Sequence, residues 1–424
     1  MGERSVRRQA AVLAGANAAV RGLGFLLHIL LGRLLGAEAL GVFELSHSAH
    51  MLAVTPVTAG LPAAVSRLTA VRGDDGALRA GRSLALRFSL VWVPLWLALS
   101  PLTAGLLGDP RTLLSLMLSA PSLAVLGVTA AYQGYCYGIG APWPSALGTL
   151  TEQTARLGLT AALLTLPALT VAARAAVPAA AEALAGLAAL VVMIGLLRRE
   201  RALPAALADK PLRREVARLA LPLTGARLVQ TLSRALTAAI LPRRLVAGGL
   251  APTAATAAVG MLQGMVLPIL MLPGIVTGAV GMAGTPAIAR RQGKALRGMA
   301  LRLYGAALAC GLLGWAAVRL GAGVLAEGVY RLPELRELYI AAAPLALTFA
   351  MSQGAGMVLG GLGEQRKTLL PTVLGAAISL ILTFRWASAF GIFGAIRAML
   401  TGRAFTAAAE TCLAAAEANL RIRN

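Results

Sequence analysis

The chain has 424 residues, 58% of them hydrophobic and 13% charged, with mean hydropathy +0.76. A soluble domain carries about 25% charged residues, so this composition excludes an ordinary cytosolic enzyme, a disordered chain and a disulfide scaffold. Thirty-nine Lys and Arg against 17 Asp and Glu give a net charge of +22; the long apolar stretches exclude a nucleic-acid binder, and surplus cations fit the inside loops of a polytopic membrane protein.

A spanning helix needs about 20 mostly apolar residues. In chain order the candidate segments are 10–32, 47–71, 83–107, 113–137, 144–166 and 176–197, then 216–241, 255–288, 298–320, 338–361, 368–387 and 391–418. The first apolar run is too long for the core of a cleavable signal peptide and leads into further spans, so no such peptide is expected. Segment 255–288 carries Pro268 and Pro273, which remove ladder hydrogen bonds and predict a kinked helix. The last segment is interrupted by Arg397, Arg403, Glu410 and Glu417. Cys136, Cys310 and Cys412 lie far apart in apolar segments and read as small buried residues.

Loop charges predict the orientation. With the N-terminus cytoplasmic, the inside loops hold 22 Lys and Arg and the outside loops seven, which places both termini in the cytoplasm. Residues 198–215 are basic and contain Pro204 and Pro211, as suits a cytoplasmic linker. The expected organisation is an all-α polytopic membrane protein of about twelve transmembrane helices in two parallel six-helix lobes, 1–197 and 216–424. An internal repeat supports it. At an offset of 206, Arg7-Arg8 falls on Arg213-Arg214, Arg21 on Arg227 and His28 on Arg234; Gln133-Gly134 later resembles Gln353-Gly354. Parallel repeats of this kind bind substrate between lobes and rock them alternately, which points to a secondary carrier.

Ten arginines fall inside the spans. Each would cost at least about 2.5–3.5 kcal/mol if it faced lipid at the membrane centre. Arg67, Arg87, Arg319 and Arg385 lie near span ends and can snorkel. Arg21, Arg156, Arg227 and Arg234 lie deeper. Arg21 with His28, and Arg227 with Arg234, are seven apart and so share a helix face. These four residues are the expected substrate site, because guanidinium groups bind phosphate bidentately. Glu152 and Arg156 are four apart, with Gln153 beside them; an ion pair and a cation-coupling site are both compatible with that spacing. Glu44, His47 and His50 recur every three residues at the start of the second span. Glu44 joins the expected polar lining. No metal is expected, since the trio lacks a full ligand set. No GxSxG, HExxH or Walker motif occurs, so the chain reads as a non-enzyme without cofactor, with coupling to H⁺ or Na⁺ left open.

Local strings carry a resemblance. Arg21-Gly22-Leu23-Gly24-Phe25, Gly32-Arg33-Leu34-Leu35-Gly36-Ala37-Glu38 and Gly41-Val42-Phe43 are similar to the first span and following loop of the stage V sporulation protein B family. That family belongs to the multidrug/oligosaccharidyl-lipid/polysaccharide (MOP) exporter superfamily. Thr58 to Arg67 resembles its second span, Glu152-Gln153-x-x-Arg156 its fifth, and Pro242-Arg243-Arg244-Leu245 with Gly264 to Pro273 its seventh and eighth. The chain departs at Gln133-Gly134-Tyr135, where relatives read Arg-Gly-Tyr, and in having about twelve spans where many relatives have fourteen. The resemblance implies a monomeric carrier in a bacterial inner membrane. Its partner there would be a lipid-linked oligosaccharide or a lipid II-like anionic lipid, moved between leaflets. A multidrug (MATE-type) antiporter and a non-transporting cell-wall or sporulation scaffold are the alternative readings.

Overall fold

The computed structural model describes residues 3–200 and 210–423; side chains are described from Ala19 onward, apart from Glu200, Ala226, Ala279, Met282, Ala283, Pro286 and those after Arg421. Most of the expected linker thus lies outside the described residues.

Among the described residues the chain is helical and has no β-strand. The helices are α1 (Glu3–Thr58), α2 (Leu61–Arg72), α3 (Gly76–Leu107), α4 (Thr112–Gly138), α5 (Trp143–Leu164), α6 (Val171–Glu200) and α7 (Lys210–Ala247). They continue with α8 (Pro252–Val259), α9 (Leu267–Leu270), α10 (Pro273–Ala289), α11 (Gly293–Gly323), α12 (Leu335–Ala342), α13 (Pro344–Gly361) and α14 (Leu369–Arg423). In a bilayer every backbone polar group must be satisfied within the chain, which is why the apolar segments all take this form.

Among the described residues, eight stretches are long and apolar enough to cross a membrane. Two of them, Ala19–Arg72 and Gln365–Arg421, are each two rods broken at a glycine: Gly36 (φ 73°, ψ 173°) and Gly391 (φ 61°, ψ −145°). Helices α5 and α7, of 22 and 38 residues, are long enough to cross but more polar. Counting these together gives about twelve rods, as the hydropathy pattern predicts. The expected kink in the eighth span is a π-helical turn, Gly260–Val266, between α8 and α9. Within this turn the Met265 carbonyl accepts a 3.0 Å hydrogen bond from the Tyr339 hydroxyl.

The chain divides into two compact units, Met1–Ala239 and Ile240–Asn424. The division falls within α7. In the first unit α4 is the central rod and touches α1, α2, α3 and α6; in the second, α13 touches α10, α11 and α14. The fourth rod of each set therefore plays the same role, in keeping with an internal repeat. Each unit also has a core at the corresponding corner. One gathers Leu61, Val65, Leu78, Tyr135 and Met193; the other gathers Ile288, Leu296, Leu303, Val358 and Leu359. Small residues let the rods approach closely, as membrane helices require. At Gly134 a Cβ would lie 2.5 Å from the Pro62 carbonyl oxygen.

Polar clamps close the rod ends. Arg111, in the loop before α4, donates to Asp109 at 2.8 and 3.0 Å and to Glu38, bridging that loop to the residues after the Gly36 break. The bonds to Asp109, and then to Glu38, raise the guanidinium's pKa further. Arg174 donates to the Leu34 carbonyl just before the break. At the α2–α3 turn Asp74 accepts from the Gly76 amide at 2.9 Å, and Arg72 with that amide holds its carboxyl below the usual range. In the second unit Lys367 bonds Glu417 at 2.6 Å, tying the loop after α13 to the end of α14.

Candidate functional site

The polar residues of the first unit fall into two groups, one buried and one exposed. The buried group is centred on Arg156, on α5. Its guanidinium lies 3.4 Å from the Glu182 carboxylate on α6, and both side chains are largely enclosed, at 13% and 5% exposure. The pair that spacing suggests on α5, Glu152 with Arg156, is thus not the ion pair formed. Glu152 lies within electrostatic reach of both Glu182 and Arg156. His28 on α1 and Glu44 beyond the Gly36 break also feel Arg156. Gly24, one turn before His28, faces Gln153, with a Cβ position 3.7 Å from the amide oxygen. Thus His28, Glu44, Glu152, Gln153 and Arg156 share one neighbourhood, which sets His28 apart from the exposed Arg21 with which its spacing pairs it.

The histidines after the break complete this group. His50 shares a 3.0 Å hydrogen bond with Ser122 of α4 and sits edge-on to Trp96. His47 stacks on Phe43 at 5.2 Å. Both feel Glu182 and Arg156. Phe43, Ser46, His47, His50, Ser119 and Glu182 enclose a space of about 10 Å³, the size of a single water. Among the described residues no three His, Cys, Asp or Glu groups converge as metal ligands. Glu182 and Ser122 also belong to this cluster, and neither lies in a spaced motif. Glu182 was nevertheless findable, being a lone acid in the middle of an otherwise apolar segment.

The exposed group is basic. Arg21 on α1 and Arg227 and Arg234 on α7 are exposed, and all three belong to the first unit. Arg227 donates to Gln230 one turn on at 3.3 Å and interacts electrostatically with Arg234. Arg234 also feels Glu44 and so links the exposed row to the buried cluster. The seam behind these residues is buried: Ala220 and Thr224 press against Gly60, and the Thr55 and Thr231 hydroxyls meet at 3.3 Å.

Other intramembrane charges have local explanations. Arg67, Arg319 and Arg385 are exposed near rod ends, as snorkelling requires, whereas Arg87 is exposed further inside α3, which begins at Gly76. Arg397 lies over Phe390 at 5.7 Å and Arg403 over Phe349 at 4.5 Å. Glu410 is buried and accepts hydroxyl bonds from Ser352 and Thr372. The last rod therefore tolerates its charges because each has company. Cys136 is buried, Cys310 half-buried and Cys412 exposed, and none forms a disulfide; the expectation of three buried residues therefore fails at Cys412.

A family model described as "Polysaccharide biosynthesis protein" matches residues 6–292. The chain belongs to the polysaccharide biosynthesis protein family. It is 27% identical over 419 residues to stage V sporulation protein B of Bacillus subtilis (strain 168), across 92% of this chain and 80% of that relative. The fold of this family member is that of the MOP superfamily. An inward-facing multidrug resistance MATE family transporter of that superfamily superimposes over 97% of this chain and 95% of its own, with TM-score 0.67 and 15% identity. A MOP superfamily transporter from Pyrococcus furiosus superimposes over the same shares, with TM-score 0.64 and 15% identity; reverse polarity of its binding pocket is described as suggesting a different function. The chain is thus a multi-pass membrane protein of the polysaccharide biosynthesis family with a MOP fold.

Proposed function

We propose that this protein is a carrier that moves a lipid-linked, pyrophosphate-bearing cell-envelope precursor across the bacterial cytoplasmic membrane by alternating access. The observation that carries the proposal is the sorting of charge in the first unit. Arg21, Arg227 and Arg234 are exposed along membrane-spanning rods, while Glu44 and Glu182 are turned inward and buried. An exposed guanidinium at membrane depth is costly unless it meets water or an anion, and phosphate is the anion that guanidinium binds bidentately. Cationic drugs would be repelled by this face, which favours the precursor over the drug-antiporter reading. Membership of a polysaccharide biosynthesis family agrees with such cargo. The MOP fold and its two compact units support alternating access as the mechanism.

The test is a flipping assay with a lipid-linked pyrophosphate in reconstituted vesicles. Arg21→Ala or Arg227→Ala should abolish flipping. Arg→Lys at either position should keep partial activity, since an ammonium attracts phosphate but cannot grip it with two bonds. Arg87→Ala and Arg319→Ala should be mild. Normal flipping by Arg21→Ala and Arg227→Ala, in protein inserted at normal levels, would sink the anion site.

A further inference from the structure

Helix α7 bears a second exposed row that the arginine site does not use. Leu221, Gly225, Val229, Leu232 and Leu236 recur at three- and four-residue steps and are all exposed, so they form one apolar stripe. The same stripe continues towards the start of the helix as Lys210, Arg214 and Arg218, again all exposed. Leu223, Arg227, Gln230 and Arg234 form a different row, and by helical geometry the buried seam lies between the two. The three cations, with Pro211 and Glu215, line an open recess of about 560 Å³. Glu215 is the one acid there, and among the described residues none of the three cations is in an ion pair.

We propose that this stripe is a loading site for the cargo lipid, with the pyrophosphate on the three cations and the lipid chain along the apolar row. The proposal rests on the cargo reading above and names where that cargo first binds. Charge complementarity selects an anionic head: three cations on successive turns span about 12 Å, at 1.5 Å per residue. The apolar row selects the chain. From Arg218 to Leu236 it runs about 27 Å, close to the roughly 30 Å hydrocarbon thickness, whereas a phospholipid chain reaches only about half of that. Gly225 leaves a notch in the row, with no atom within 4 Å of its Cβ position. A long single-chain isoprenoid fits these features better than a two-chain phospholipid.

The test uses the full chain in phosphatidylcholine nanodiscs, with displacement of a fluorescent polyprenyl pyrophosphate by undecaprenyl pyrophosphate as the readout. The triple variant Lys210→Gln/Arg214→Gln/Arg218→Gln should weaken binding at least about tenfold, by loss of the phosphate contacts. Gly225→Trp should weaken undecaprenyl pyrophosphate but leave competition by inorganic pyrophosphate unchanged, because only the chain occupies the notch. Thermal midpoints monitor folding, and the single variants Arg214→Gln and Gly225→Trp carry the test if the triple variant is unstable. Wild-type affinity in the triple variant overturns the loading site. So does equal competition by phosphatidylglycerol, which would make the cations an anchor for bulk anionic lipid. If the wild-type protein binds no polyprenyl pyrophosphate, the cargo reading itself fails. If it binds, and Arg227→Ala weakens binding while the triple variant does not, the cargo reading stands and the loading site falls.

Discussion

Removing either half of the Arg156–Glu182 pair leaves the other half buried without its counter-ion. Such losses cost about 3–5 kcal/mol, so Arg156→Gln and Glu182→Gln should each lower the thermal midpoint in detergent markedly. The double variant Arg156→Gln/Glu182→Gln should regain much of the loss, since it leaves no lone charge. Glu152→Gln should be far milder, because the carboxylate 3.4 Å from Arg156 belongs to Glu182. A double-mutant cycle checks this directly: a larger coupling between positions 152 and 156 than between 156 and 182 would contradict the geometry. The spacing of Glu152 and Arg156 was readable from the sequence, and so was their membership of one polar neighbourhood. The partner was not, because an intrahelical pair is visible as a spacing of four, whereas Glu182 reaches Arg156 only through the packing of α6 on α5. The histidines were singled out for the same reason of spacing, yet Phe43, Ser122 and Trp96 account for their contacts.

Two glycines make the turns that let long helical runs fold back. Gly36 and Gly391 occupy backbone regions that are essentially reserved for glycine, and a side chain there costs about 1–3 kcal/mol. Around Gly36 a Cβ would find nothing within 4 Å, so the cost of Gly36→Ala is in the backbone alone. Gly105, also without neighbours but at helical φ, is the control: Gly105→Ala should be neutral or slightly stabilising. Gly134→Ala should be destabilising for the opposite reason, since its Cβ would collide with the Pro62 carbonyl. Thermal midpoints of the purified variants check all three, and an unchanged midpoint for Gly36→Ala would show that the break is not set by this residue. Hydropathy located the rods on either side of Gly36 and Gly391 because length and polarity are local properties. Pro268 and Pro273 marked the kink in the eighth span, although the π-turn over Gly260–Val266 precedes both, and its Met265 carbonyl accepts from Tyr339 of another rod.

At the level of the whole chain, the loop charges make a topological prediction. Reporter tags in the 198–215 linker and after Asn424 should both read as cytoplasmic, from the 22-against-7 excess of cations on one side. An outside reading for the linker tag would overturn that orientation. The all-helical architecture and the number of rods were legible because the bilayer leaves few options for an apolar chain. What the sequence could not supply was the packing boundary at Ala239, which lies inside one continuous helix and leaves no mark in composition.

The polarity of α5 bears on how the protein is made. This rod carries Glu152 and Arg156 at membrane depth and is not among the stretches apolar enough to cross unaided. The neutralising carboxylate and the most apolar of the spanning windows both belong to α6, which leaves the ribosome after it. Integration of α5 is therefore expected to wait for α6, the two entering as a helical hairpin joined by residues 165–170. A nascent chain halted before Glu182 would hold α5 at the translocon without committing it to lipid.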